Sequence, residues 1–166
     1  MKNINPLKLE INTLEDEIKT IEEATLKQKE AEKRDIDEKF HPKIQNLETQ
    51  LEKYRPRLET AMENFQEIKE KQKYLKKQLK NSSHGQDMLD EAIEKFHQAK
   101  SRLDSLKEKI KGLESELKIF KKEKVKELKA TIKSVNKEKS AKIKDINKQI
   151  KVLNKKIKEQ EKEKNI

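Results

Sequence analysis

The hydrophobic residues of this chain run in two blocks of heptads that mirror one another about a single turn-forming segment, Asn81 to Asp87. Asn5 and Pro6 have the chemistry of an N-cap and a first helical residue, and Leu7, Ile11, Leu14, Ile18 and Ile21 then recur at alternating steps of four and three. A second register holds strict phase over five heptads: Ile44, Leu47, Leu51, Tyr54, Leu58, Ala61, Phe65, Ile68, Gln72, Leu75 and Leu79. Sustained a/d phase of this kind marks a coiled coil, in which about every turn presents an apolar side chain to a partner helix.

The segment NSSHGQD interrupts the pattern with turn residues and one of only two glycines in the chain, and Ser83 or Asp87 can cap the helix that follows. Beyond it the pattern resumes through Leu89, Ala92, Phe96, Ala99, Leu103, Leu106, Ile110, Leu113, Leu117 and Phe120. It continues as Val125, Leu128, Ile132 and Val135, then as Ile143, Ile146, Ile150, Leu153 and Ile157, with a slip of phase between blocks. Slips of about four residues are stutters that locally unwind a supercoil.

Composition agrees with the pattern. Apolar residues are 31% of the 166, aromatic residues 4% and charged residues 45%. An a/d seam alone uses two positions in seven, about 29% of a sequence, so nothing is left over for a globular core. Low hydrophobicity with mixed charge also describes disordered chains, but those do not keep a seam in phase.

The reading is therefore an all-α fold, a long antiparallel two-helix coiled-coil hairpin forming a single domain. Arm one covers about residues 5–80, the turn 81–87 and arm two about 88–162. Folding back near residue 84 pairs residues whose numbers sum to about 168. In that register Pro56 falls opposite Gly112, Pro42 near the slip between Phe120 and Leu128, and the weak seam from Ala24 to Ile36 near the slip around Lys139. Each arm would be roughly 110 to 120 Å long at 1.5 Å per residue, giving a rod. Neither Pro42 nor Pro56 has the neighbours of a reversal, so each is expected to kink or briefly interrupt the first arm, at a helical cost of about 3 kcal/mol. A parallel homodimer of nearly straight helices is the alternative arrangement.

Charge is uneven along the chain. Residues 121–166 contain 17 Lys and 7 acidic residues, whereas the preceding part has 25 basic and 25 acidic residues. Residues 1–41 are acidic on balance, so an antiparallel hairpin sets opposite charges side by side. A basic stripe is the electrostatic footprint of phosphate binding. Against that reading stand only four arginines (Arg34, Arg55, Arg57 and Arg102), no Trp, and acidic residues such as Glu123, Glu127, Glu138 and Asp145, which can pair with lysines at i,i+4.

Chemistry-bearing constellations are few. Glu-Lys-Phe-His occurs at Glu38 to His41 and again at Glu94 to His97, and Glu-x-x-His pairs serve di-metal centres in helix bundles. The hairpin register separates the two copies by on the order of 50 Å, and the second sets its Phe in the seam, turning Glu94 and His97 outward. No cofactor and no metal site is expected. The chain has no cysteine, no phosphate-cradling glycine loop and no recognisable nucleophile–base spacing, so it is not read as an enzyme. No apolar run has the length of a signal peptide or membrane span, so a cytoplasmic protein is expected.

In general plan the chain resembles the antiparallel coiled-coil stalks of flagellar and type III export systems and the arms of chromosome-maintenance ATPases. The resemblance covers the whole chain, rests on periodicity, and carries over no functional residue. The expected function is a non-enzymatic spacer, adaptor or assembly subunit of a larger protein complex; the alternative is a nucleic-acid-associated protein binding phosphates through its lysine-rich quarter. A membrane partner is not expected. Homo-oligomerisation through off-seam apolar residues (Leu26, Met62, Ile93, Ile119, Val152) or the tip stays open. Candidate partner contacts are His84, Gln86 and Met88 at the tip and Lys121, Lys122, Lys126, Lys129, Lys133, Lys137, Lys144, Lys148, Lys151 and Lys155 on the second arm.

Overall fold

The computed structural model describes residues 5–80 and 85–164. Two helices account for nearly all of them, α1 (Pro6–Gln78) and α2 (Gly85–Lys164), paired as an antiparallel hairpin with no strand among the described residues. The start of α1 follows from its sequence: the Asn5 side-chain oxygen accepts a hydrogen bond from the Leu7 amide at 3.0 Å, and Pro6 occupies the first helical position. Lys76 and Lys77 sit in its last turn, where positive charge complements the negative end of the helix dipole.

Cross-helix contacts set the register. Lys39 meets Glu127, Arg55 meets Glu114, Lys121 meets Glu48 and Phe65 meets Phe96, pairs whose numbers sum to between 161 and 169. The reversal is shorter than expected. Gly85, Gln86 and Asp87 belong to the first turn of α2, so Asp87 is an acidic first-turn residue and not a cap, while Ser83 and the rest of residues 81–84 lie outside the described residues.

The chain divides into two compact units, residues 1–39 with 124–166 and residues 40–123. In the second, Leu47, Leu51, Ile110 and Leu113 form a buried core, with Tyr54, Leu58, Leu117 and Phe120 packed on it. Leu51 is 1% exposed, the most buried side chain in this core. Ala61 and Ala99 are also buried, and Phe65 and Phe96 meet with ring centroids 5.1 Å apart.

In the first unit, Ile11, Leu14, Ile146, Leu153 and Ile157 make the core, flanked by Leu7, Ile18, Ile21 and Ile150. The weak seam beyond Ile21 is closed by Thr25, not by the exposed Ala24. Thr25 is buried because its hydroxyl donates to the Ile21 carbonyl of its own helix at 2.7 Å, leaving its methyl to pack. Lys29 and Glu32 are half-buried on the same line before Ile36 restores an apolar layer. The steps from Ile21 to Thr25 to Lys29 are both of four residues, which is the local unwinding a stutter requires.

One expectation is corrected. Val125 is 50% exposed, and Lys124 takes the seam position instead. A step of five from Phe120 swings a side chain about 140° off the seam, whereas steps of four through Lys124 to Leu128 stay close to it. The Lys124 stem lines the seam and its ammonium reaches Asp37 at 2.9 Å. Gly112 lies at the level of Pro56, as the register expects, and a Cβ built on it would meet nothing within 4 Å.

Of the two outcomes anticipated at the prolines, interruption does not occur, and α1 is helical through Pro42 and Pro56. Both rings are exposed, so the carbonyls they displace, those of Glu38 and Glu52 one turn earlier, lie on the solvent side. Buried Phe40, Leu47 and Leu51 hold the opposite face.

Candidate functional site

Tip residues divide. His84 lies outside the described residues. Gln86 donates to the Asp90 carboxylate at 3.1 Å, which uses it within its own helix. Met88 is 53% exposed and edges a shallow groove with Ile68, Leu75 and Ala92. The off-seam apolar residues Leu26, Met62, Ile119 and Val152 are exposed as expected, but Ile93 is half-buried.

Both Glu-Lys-Phe-His copies place their phenylalanine inward and their acid and histidine outward. Phe40 is 5% exposed and Phe96 packs on Phe65, while Glu38, His41, Glu94 and His97 are all exposed. No group of three or more potential metal ligands comes together among the described residues.

The lysines form the most ordered surface. All ten candidates from Lys121 to Lys155 are exposed. Lys121 is engaged, 3.6 Å from Glu48, and Lys122 lies beside it in the second unit; the other eight are on the α2 segment of the first unit. At about 100° per residue, those eight fall within about 100° of helix circumference, turned by roughly 140° from the seam. Lys158 and Lys162, also exposed, continue the same line. Between Lys126 and Lys162 that arc contains ten lysines, together with Ala130, Ser140 and Asn147, and no carboxylate.

The carboxylates of this segment sit elsewhere. Glu127, Glu138, Asp145, Glu159 and Glu163 flank the arc on one side and Glu161 on the other. The i,i+4 neutralisation expected from the sequence is therefore not made. Among the described residues, no lysine of this stripe is within ion-pair distance of an acidic group. Among the described residues, ion pairs instead join the two helices beside the seam, Lys39 with Glu127 at 2.9 Å, Lys124 with Asp37 at 2.9 Å and Arg55 with Glu114 at 3.5 Å, or link neighbouring turns of α2, Lys95 with Glu91 at 3.4 Å.

Three of the four arginines lie beside the pairing of α1 with α2, Arg55 through its ion pair with Glu114. Arg57 stacks over the Tyr54 ring at 5.4 Å, where Lys109 also approaches at 5.7 Å, and Arg57 and Arg102 flank a cleft over Ala61 and Ala99. No helix among the described residues is long and apolar enough to cross a membrane. Comparison with protein families, curated proteins and solved structures found no match to this chain.

Proposed function

We propose that this protein is a non-enzymatic structural or adaptor subunit, a helical hairpin that acts as a spacer or assembly element in a larger protein complex. One observation carries the reading: the buried side chains described above all belong to the interface between α1 and α2, leaving both helices to present long, charged outer faces. A chain whose apolar content is consumed in pairing two helices is suited to hold other molecules at a distance or in an order. Catalysis needs groups converging where water is excluded, and the buried side chains among the described residues are Leu, Ile, Val, Phe and Ala with a single threonine, Thr25, whose hydroxyl is used by its own helix. The same reading places the protein in the cytoplasm.

The test is recovery of the tagged full-length chain from its source cells after mild crosslinking, with and without nuclease, followed by quantitative mass spectrometry. The expected result is a stoichiometric protein partner, unaffected by nuclease, crosslinked to outward-facing residues of α1 or α2. Recovery of the chain with no stoichiometric protein partner in either condition overturns the proposal.

A further inference from the structure

We infer that the lysine stripe on α2, from Lys126 to Lys162, binds the phosphate backbone of duplex nucleic acid without reading its sequence. This inference goes beyond the structural role proposed above and does not depend on it.

The stripe is a one-sign surface built by helical spacing. Its lysines follow one another at steps of three or four residues, interrupted once, at Ser140, so that a charge recurs about every 5 Å along roughly 54 Å of helix. Segregation of the acids to the flanks leaves the ammonium groups without intramolecular partners, and their exposure means that they are hydrated, counterion-bound and available for exchange. Duplex nucleic acid carries one negative charge per about 1.7 Å of axis, so a row with this spacing finds a phosphate within reach of the flexible stems over much of a contact.

Three features select this partner over others. The stripe contains no arginine, whose planar fork suits bidentate contacts to bases, and its lysines act as point charges, which favours contact with the backbone over readout of sequence. It contains no aromatic residue on which unpaired bases could stack, which favours a duplex over a single strand. Its only apolar member is Ala130, and exposed Val152 beside Lys148 is a single side chain, short of the continuous hydrophobic face that seats a basic helix in a bilayer. Ser140 and Asn147 add neutral donors of the kind that contact phosphate oxygens.

The experiment is fluorescence anisotropy of labelled 30-base-pair duplexes of two unrelated sequences with the purified full-length chain. A straight helix touches a duplex along part of its length, and about five phosphate contacts predict a log–log salt slope near −4.5, a several-hundred-fold loss of affinity between 50 and 200 mM salt. Both sequences should bind alike. Changing Lys133, Lys137, Lys144, Lys148, Lys151 and Lys155 together to Gln should weaken binding at least tenfold at 50 mM salt and flatten the slope. These positions face away from the seam, and circular dichroism checks that the helices persist. A control of equal net charge, with Lys19, Lys27, Lys33, Lys69, Lys76 and Lys77 changed to Gln, should stay within about threefold of the parent. Equal loss in both variants would mean that net charge alone acts, and it overturns the inference. So does absence of duplex binding at 50 mM salt, whether or not vesicles containing phosphatidylserine are bound in its place.

Discussion

Leu79 closes over Gly85 so tightly that a Cβ built on the glycine would lie 2.6 Å from the Leu79 Cβ and 3.0 Å from the Leu79 carbonyl oxygen. The backbone of Gly85 does not adopt a positive φ, so it is space, not torsional freedom, that demands glycine there. Gly112, with open space around it, has no such claim. Gly85→Ala is expected to destabilise the hairpin by about 1–3 kcal/mol, as overpacking against atoms that cannot swing away does. Gly112→Ala should stabilise it by about 0.5–1 kcal/mol through helix propensity alone. Urea unfolding followed at 222 nm measures both, and effects of equal sign would contradict this account.

Leu51 is where truncation should cost most. Leu51→Ala removes the best-buried side chain from the Leu47–Leu113 core and is expected to lose about 2–5 kcal/mol. The same substitution at exposed Leu26 should stay within about 0.5 kcal/mol. A comparable loss at both positions would mean that the seam runs elsewhere.

Thr25 bonds to its own helix and not across the seam, so its hydroxyl is dispensable. Thr25→Val leaves the Ile21 carbonyl with its helical amide partner and adds apolar surface, and should be neutral or stabilising by up to about 1 kcal/mol. A clear destabilisation would show that the hydroxyl supports something beyond its own turn.

Pro42 and Pro56 lie inside a helix that packs despite them. Replacing either with Ala should raise the thermal midpoint, gaining up to about 3 kcal/mol, since the amide regains its bond and the displaced carbonyl relaxes. A lowered midpoint would mean that the surrounding seam is shaped to a kink at that position.

Asp37 with Lys124 and Lys39 with Glu127 run with opposite polarity between the helices. Asp37→Lys should lose no more than about 1 kcal/mol, the loss shrinking as salt rises, and adding Lys124→Asp should recover part of it. A double-mutant cycle with zero coupling would reduce this pair to an incidental contact.

How far the sequence carried the reading depended on whether a residue's role was local. The cap at Asn5, the helical position of Pro6 and most seam positions depend on spacing alone and were legible. Val125 was misplaced because hydrophobicity was counted ahead of phase; a lysine can line a seam with its stem while its charge leaves it. The close approach at Gly85 depends on a neighbour six residues away across the reversal, which composition cannot reveal. Segregation of acids from the lysine stripe could have been found by projecting the segment around a helix, whereas counting charges along the line concealed it.

The hydrogen bond between Asn5 and Gln160 joins residues 155 apart in sequence, whereas Leu79 and Gly85 are separated by a few. Between those extremes, each layer of the seam closes a loop only slightly larger than the layer inside it. Once the inner layer has formed, the entropy of forming the next grows only slowly with length. By loop entropy alone, the cheapest order of closure starts at Leu79 and Gly85 and reaches contacts remote in sequence by a succession of near-local steps, leaving the ends that carry Asn5 and Gln160 until last.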